Sequence, residues 1–445
     1  MTGTHSLWCA RAWLPTGPAT GVRVALERGR VTRVESGVSA RDGDEVLGGM
    51  LLPGAANCHS HTFHRALRGA GVPGGSFWTW REDMYRIAAR LTPESYFDLA
   101  VGAYAEMLEA GYTSVGEFHY VHHRPDGTPY PDPNAMGEAL ISAAHEVGIR
   151  LTLLDTCYLS SGFGAELAPE QVRFGDGSAR AWRTRVEALA AAHRGEEGVR
   201  IGAAIHSVRA VAPEDMRVVA DWAREEGAPL HVHLSEQVAE NEACLASLGA
   251  TPTRVLEAAG AWGAHATAVH ATHLEDEDVA VLGAHHVTCC LCPSTEADLA
   301  DGIGPAVELA AAGARLGLGS DQNVLTDPLA EMRRLEMDQR LSRGTRENFT
   351  PSALIDALTA HGQECLGWSG VGRIEAGVPG DLVHLATDTA ALAGVRPDRI
   401  PLHAGAADVT DVWVAGRHLV RAGHHTDIDP AARLAQSIAA LRSPS

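Results

Sequence analysis

The chain has 445 residues, 45% of them hydrophobic, so it is too long for one small domain and rich enough for a large core. A formal net charge of −20 argues against nucleic acid or an anionic membrane as partner, and no apolar run reaches the roughly 18 residues of a membrane span. All 36 basic residues are arginine, which rules out Schiff-base, pyridoxal-phosphate-lysine and P-loop-lysine chemistry.

The opening "MTGTHSLWCARAWLP" lacks a basic start followed by an apolar core, so no signal peptide is expected and a cytoplasmic enzyme is the expected class. Residues 1–52 include "GVRVALERGRVTRVES", which reads as strands with turn residues. From residue 53 onward short apolar runs alternate with amphipathic segments. The runs are "GMLLPGAANCH", "YTSVGEFHY", "IRLTLLDTCY", "VRIGAAIHS", "PLHVHLSE", "ATAVHATH", "HVTCCLCPS" and "ARLGLGSD". Between them stretches such as "ESYFDLAVGAYAEMLEAG" and "PEDMRVVADWAREEG" space their apolar residues at a helical period and end near Gly. Eight strand-then-helix units predict an α/β fold, a (β/α)8 TIM-like barrel over residues 53–371. The doubly wound alternative would need a G-x-G-x-x-G after a strand, and none is found. Past residue 372, "GDLVHLAT" and "DVTDVWVAGRHLVRAG" again read as strands. Neither end holds enough strands for a stable sheet, so residues 1–52 and 372–445 are expected to combine into one small β domain beside the barrel. Of the eight cysteines only Cys289 and Cys292 have C-x-x-C spacing, without a second pair, and they read as buried packing.

Strand residues i and i+2 share a face, about 7 Å apart. His59 and His61 can therefore both turn toward one metal at the C-terminal end of the first barrel strand, where barrel enzymes carry their catalytic groups. Alone, H-x-H is a weak signal. The fifth strand ends "HVHLSE", placing His233 and Glu236 as H-x-x-E; His231 shares the face but lies deeper and reads as packing. The sixth ends in His270, with His273 on the following turn read as structural, and the eighth ends "GLGSD" at Asp321. Each residue alone is more often a satisfied polar group than a ligand, but four strand ends agree. Arg81 falls in the loop after the first strand, in "GSFWTWREDMYR"; His206 and Arg209 follow the fourth in "AIHSVRA", and Tyr120 ends the second. A guanidinium matches a carboxylate through two parallel hydrogen bonds, so two arginines near one mouth suggest a dicarboxylate; salt bridges on the rim are the alternative.

H-x-H on the first strand, His-x-x-Glu on the fifth, His on the sixth and Asp on the eighth resemble the amidohydrolase superfamily, and the terminal strands resemble its small β-sandwich. The missing lysine excludes the two-metal arrangement bridged by a carboxylated lysine and leaves the mononuclear deaminase branch. "HSHTFHRALRG", "GSFWTWREDMYR", "EFHYVHH", "HSVRAV", "HLSEQ", "VHATHL", "CPSTEADLADG" and "GSD" occur in the order of the formimidoylglutamate deiminase family, over essentially the whole chain. That resemblance implies one divalent ion on His59, His61, His233 and Asp321, with zinc expected and iron or manganese able to use the same ligands. It implies a metal-activated hydroxide, Asp321 accepting the proton of the water, His270 stabilising developing charge, and Glu236 protonating the leaving nitrogen. The implied substrate is a small anionic dicarboxylate amidine, N-formimino-L-glutamate of histidine degradation. Arg81, Tyr120, His206 and Arg209 would take its carboxylates, His64 would lie among its contacts, and a homodimer is implied.

The chain departs from the family at His64, where relatives carry Gln, and at Gln322 and Asn323 after the strand-8 Asp. Those changes bear on the substrate and leave another formimino- or guanidino-acid open. A purine or pterin deaminase would share the ligands but not need the arginine pair. A non-catalytic scaffold would be expected to have lost ligands, and none is missing.

Overall fold

The structure, a computed structural model, describes residues 5–70 and 77–443. Eight parallel strands form one sheet in sequential order: β1 (Ala55–Ser60), β2 (Tyr112–His119), β3 (Arg150–Cys157), β4 (Val199–Ile205), β5 (Leu230–Leu234), β6 (Ala266–His270), β7 (Thr288–Leu291) and β8 (Arg315–Leu318). Every residue of β1, β2 and β3 is buried, as parallel strands covered on both faces require. The helices between them carry the signals seen in the sequence. Thr92 and Ser95 form a reciprocal capping box ahead of Pro93–Glu109, and the helix Pro213–Glu226 stops where Gly227 turns left-handed (φ 61°).

The barrel closes between β1 and β8. Ser60 bridges Asp321 in parallel, the Asp321 N–H donates to the His59 carbonyl (2.9 Å), and the His61 N–H donates to the Asp321 carbonyl (3.0 Å). Asn323 adds a staple, donating from Nδ2 to Ser60 Oγ (3.1 Å) and to the His61 carbonyl (3.2 Å). The closing seam therefore runs through three of the predicted ligand positions.

Both chain ends build a second, mixed sheet of nine strands among the described residues. It is joined where Met50–Pro53 pairs antiparallel with Leu382–Leu385. Its apolar face, including Leu7, Val22, Val24, Leu51, Leu382 and Trp413, makes a core separate from the barrel's. The alternating strand pattern of the sequence did not reveal the helix Pro430–Arg442, capped by Asp429, which packs on Pro93–Glu109. Gly102 makes that approach possible, since a Cβ there would meet Leu434 Cγ at 2.9 Å.

A buried ion pair ties this sheet to the barrel. Arg150, at the start of β3, donates from Nε (2.7 Å) and Nη2 (3.0 Å) to the carboxylate of Asp381, and the Ala415 N–H donates to the same carboxylate (2.8 Å). Removing one partner strands a buried charge, so Asp381→Ala is expected to lower unfolding free energy by about 3–5 kcal/mol. Denaturant titration measures it; a loss below about 1 kcal/mol, the range of an exposed pair, would contradict the account.

Candidate active site

At the C-terminal mouth of the barrel three imidazoles and a carboxylate converge. His59 Nε2 lies 3.1 Å and His61 Nε2 3.3 Å from His233 Nε2, and each lies 3.4 Å from Asp321 Oδ1. These contacts are not ordinary hydrogen bonds. His61 Nδ1 is 3.0 Å from the Phe118 carbonyl and His233 Nδ1 is 2.9 Å from the His206 carbonyl. A carbonyl only accepts, so each ring carries its proton on Nδ1 and presents a bare lone pair at Nε2. Two lone pairs facing each other at that distance repel unless a cation lies between them. A tetrahedron with bonds of about 2.05 Å puts its ligand atoms roughly 3.3 Å apart, which these separations match. Burial, with repulsion among the rings, holds His59, His61 and His233 well below the ordinary histidine range and keeps the lone pairs available. The group fits a divalent metal ion.

Local backbone explains how the donors reach this point. His61 follows β1 and opens the 3-10 turn Thr62–Leu67, whose first N–H donates to Glu117 Oε1 (2.8 Å) from β2. Burial pushes that carboxyl up to about 8. Ser235, His270 and Asp321, each at or next to a strand end, sit in the left-handed region with φ of 51°, 69° and 45°. Such conformations are costly for non-glycine residues and concentrate at functional sites.

Beside the cluster stand His270 and Glu236. His270 Nε2 is 3.8 Å from Glu236 Oε1 and 3.9 Å from Asp321 Oδ2, while its Nδ1 is 3.5 Å from Glu296 Oε1. Burial alone would lower the His270 imidazole, but the carboxylates of Glu236, Glu296 and Asp321 raise it well above the ordinary range. Burial also pushes the Glu236 carboxyl up, against the pull of His270. A proton can thus reside on this face, next to a cluster whose imidazoles stay neutral.

Every predicted site residue except the fully buried His59 lines one cavity: His61, His64, Arg81, Tyr120, His206, Arg209, His233, Glu236, His270 and Asp321. His64 Nε2 is 3.0 Å from the Tyr120 hydroxyl, and the His206 ring packs on Tyr158 at 4.2 Å between centroids. Of the two departures after strand 8, Gln322 lines the cavity whereas Asn323 serves the β1–β8 seam. Arg81 corrects one expectation: it lies on the helix Phe77–Ala88 rather than in a loop, with Nε donating to Tyr85 (2.6 Å) four residues on. The first residues of "GSFWTWR", Gly75 and Ser76, lie outside the described residues. His231 lies deeper, its Nε2 3.2 Å from the Cys365 carbonyl, and all eight cysteines are buried and free.

Sequence reasoning missed Tyr158, Glu240 and Glu296. Tyr158 follows β3 and was detectable as one more strand-end residue. The two glutamates begin helices and look there like ordinary solvated charges, yet they are 4% and 5% exposed.

A family profile described as the amidohydrolase family matches residues 50–419. The chain belongs to the amidohydrolase family. This amidohydrolase is 40% identical to a formimidoylglutamate deiminase of Pseudomonas aeruginosa, over 96% of its own length and 97% of the relative's. It is 30% identical to an 8-oxoguanine deaminase of the same species, over 88% and 86%. Among solved structures, an amidohydrolase from Brucella melitensis superposes with a TM-score of 0.92 at 36% identity, covering 99% and 100% of the two chains. The amidohydrolase is thus a hydrolase of carbon–nitrogen bonds, with a His/Asp cluster able to hold a metal ion.

Proposed function

We propose that this enzyme hydrolyses N-formimino-L-glutamate to N-formyl-L-glutamate and ammonia. The observation that carries the reading is that Arg81 and Arg209 line the same cavity as the His/Asp cluster, inside a chain whose net charge of −20 would otherwise repel a dianion. The 40% identity to a formimidoylglutamate deiminase, against 30% for the 8-oxoguanine deaminase, supports it over a heterocycle deaminase.

His59, His61, His233 and Asp321 would hold the ion, zinc by the match to three nitrogens and one oxygen. Bound there, the ion supplies Lewis-acid activation of a water molecule. The protein's own groups handle the protons. The second carboxylate oxygen of Asp321, turned toward His270, takes the proton released as the water oxygen bonds to the formimino carbon. His270 Nε2 holds the water oxygen and stabilises the charge that develops on it as it bonds to that carbon. Glu236 delivers a proton to the imino nitrogen, making it an amine. Recharged with the water protons that Asp321 takes up, Glu236 delivers a second as the formyl C=O forms; the carbon–nitrogen bond then breaks with loss of ammonia rather than an amide anion. Arg81 and Arg209 bind the carboxylates, with Tyr120, His206 and His64 shaping the pocket between them.

The same reading includes a cytoplasmic enzyme of histidine degradation, with residues 53–371 as the catalytic unit and residues 1–52 and 372–445 as its companion. No helix among the described residues is long and apolar enough to cross a membrane. It also includes a homodimer. Val238, Leu245 and Leu248 stand 52%, 58% and 39% exposed along one face of the helix Val238–Leu248, an apolar stripe that a second copy could cover.

Arg209→Met tests the substrate assignment. Turnover of N-formimino-L-glutamate is expected to fall by about 100-fold or more while bound metal stays at its wild-type level. Unchanged turnover would remove Arg209 from the substrate site.

A further inference from the structure

Glu240 lies in the helix Val238–Leu248 after β5, is 4% exposed, and spends its two carboxylate oxygens on two different loops. Arg209 Nε, on the turn after β4, donates to Oε2 at 2.6 Å, and the Ser235 N–H, next to Glu236, donates to Oε1 at 3.1 Å. Among the described residues the Nη atoms of Arg209 make no hydrogen bond, and 27% of its side-chain surface stays accessible while it lines the cavity. Held by Nε alone, the guanidinium keeps its two-nitrogen edge for a ligand. Ser235 is in the left-handed region at φ 51°, so its N–H needs a fixed partner to hold the turn that aims Glu236. The charge of Glu240 also outweighs burial and raises Arg209 above its ordinary range, keeping the cation fully charged.

We propose that Glu240 is a positioning residue that couples capture of a substrate carboxylate by Arg209 to the placement of the proton-delivering Glu236. The inference rests on the proposed function in taking Arg209 as a carboxylate ligand and Glu236 as the proton donor. One carboxylate braces both groups, so its loss weakens substrate capture and proton delivery together.

Two variants separate its two contacts. Glu240→Gln keeps an oxygen for Ser235 but turns an amide N–H toward Arg209; Glu240→Ala removes both contacts. With N-formimino-L-glutamate, Glu240→Gln is expected to raise KM by roughly tenfold with little change in kcat. Glu240→Ala should raise KM similarly and lower kcat by roughly tenfold as well. In an Arg209→Met background, Glu240→Gln should cost less than about twofold, because its partner is already gone. Bound metal and melting temperature measured alongside separate this result from misfolding, and Glu240→Gln carries the test should Glu240→Ala not fold. The coupling is overturned if Glu240→Gln leaves KM unchanged, or if its cost in the Arg209→Met background equals its cost in the wild type. Wild-type enzyme that releases no ammonia from this substrate would instead overturn the functional reading beneath it.

Discussion

Glu236→Gln is expected to lower kcat for ammonia release by about 10²–10⁴-fold, the usual range for a general acid–base group, with metal content unchanged. Glutamine fills the same volume and can still accept a hydrogen bond, but it cannot carry a proton to the imino nitrogen. The loss should fall on kcat rather than KM because proton delivery matters in the transition state and little in the bound complex. Glu236 Oε1 lies 3.8 Å from His270 Nε2, whereas the predicted ligand atoms of His59, His61, His233 and Asp321 lie against one another. The ligand cluster should therefore not register the change. Steady-state kinetics with metal analysis decides it. A loss below about tenfold would mean that another group, His270 first among them, carries the proton.

His233→Ala has the second large expected effect, and it is read on the metal rather than on the reaction. His233 is the member whose Nε2 contacts both other imidazoles, at 3.1 and 3.3 Å, so its removal breaks two edges of the cluster at once. The variant should retain on the order of a tenth of an ion per chain or less after dialysis, against about one for the wild type. An ion that binds only the folded state raises its stability by mass action. Added zinc should therefore raise the melting temperature of chelator-treated wild type and leave that of His233→Ala unmoved. Full retention of the ion by the variant would show that the metal sits elsewhere.

How far the sequence reached depended on whether a residue's neighbours are set by periodicity or by tertiary packing. His59 and His61 were legible because a two-residue spacing fixes a shared strand face, and His233, His270 and Asp321 because barrel strand ends point at one mouth. The order of the strands followed from the alternation of apolar runs. What stayed hidden are partners joined across the fold. Glu240 reaches Arg209 across 31 residues, and Glu296 sits 3.5 Å from His270 Nδ1. In the sequence both are acidic residues early in a helix, where a solvated charge beside the helix N-terminus is equally expected. Arg81 was assigned to a loop because the Gly- and Trp-rich words around it carry no clear helical period, yet it lies on a helix that packs against the turn after β1. The helix Pro430–Arg442 was obscured by the strand-like text before it, although Asp429 followed by Pro430 is a usable start signal.

Ammonia release across a substrate panel tests the central claim most directly: N-formimino-L-glutamate against guanidino acids, 8-oxoguanine and adenosine, each with the metal-loaded enzyme. The account predicts one N-formyl-L-glutamate per ammonia, and a kcat/KM for N-formimino-L-glutamate at least about 10²-fold above every other compound, as expected of a site whose buried polar groups would otherwise go unpaired. A guanidino acid or a purine turned over more efficiently would contradict it.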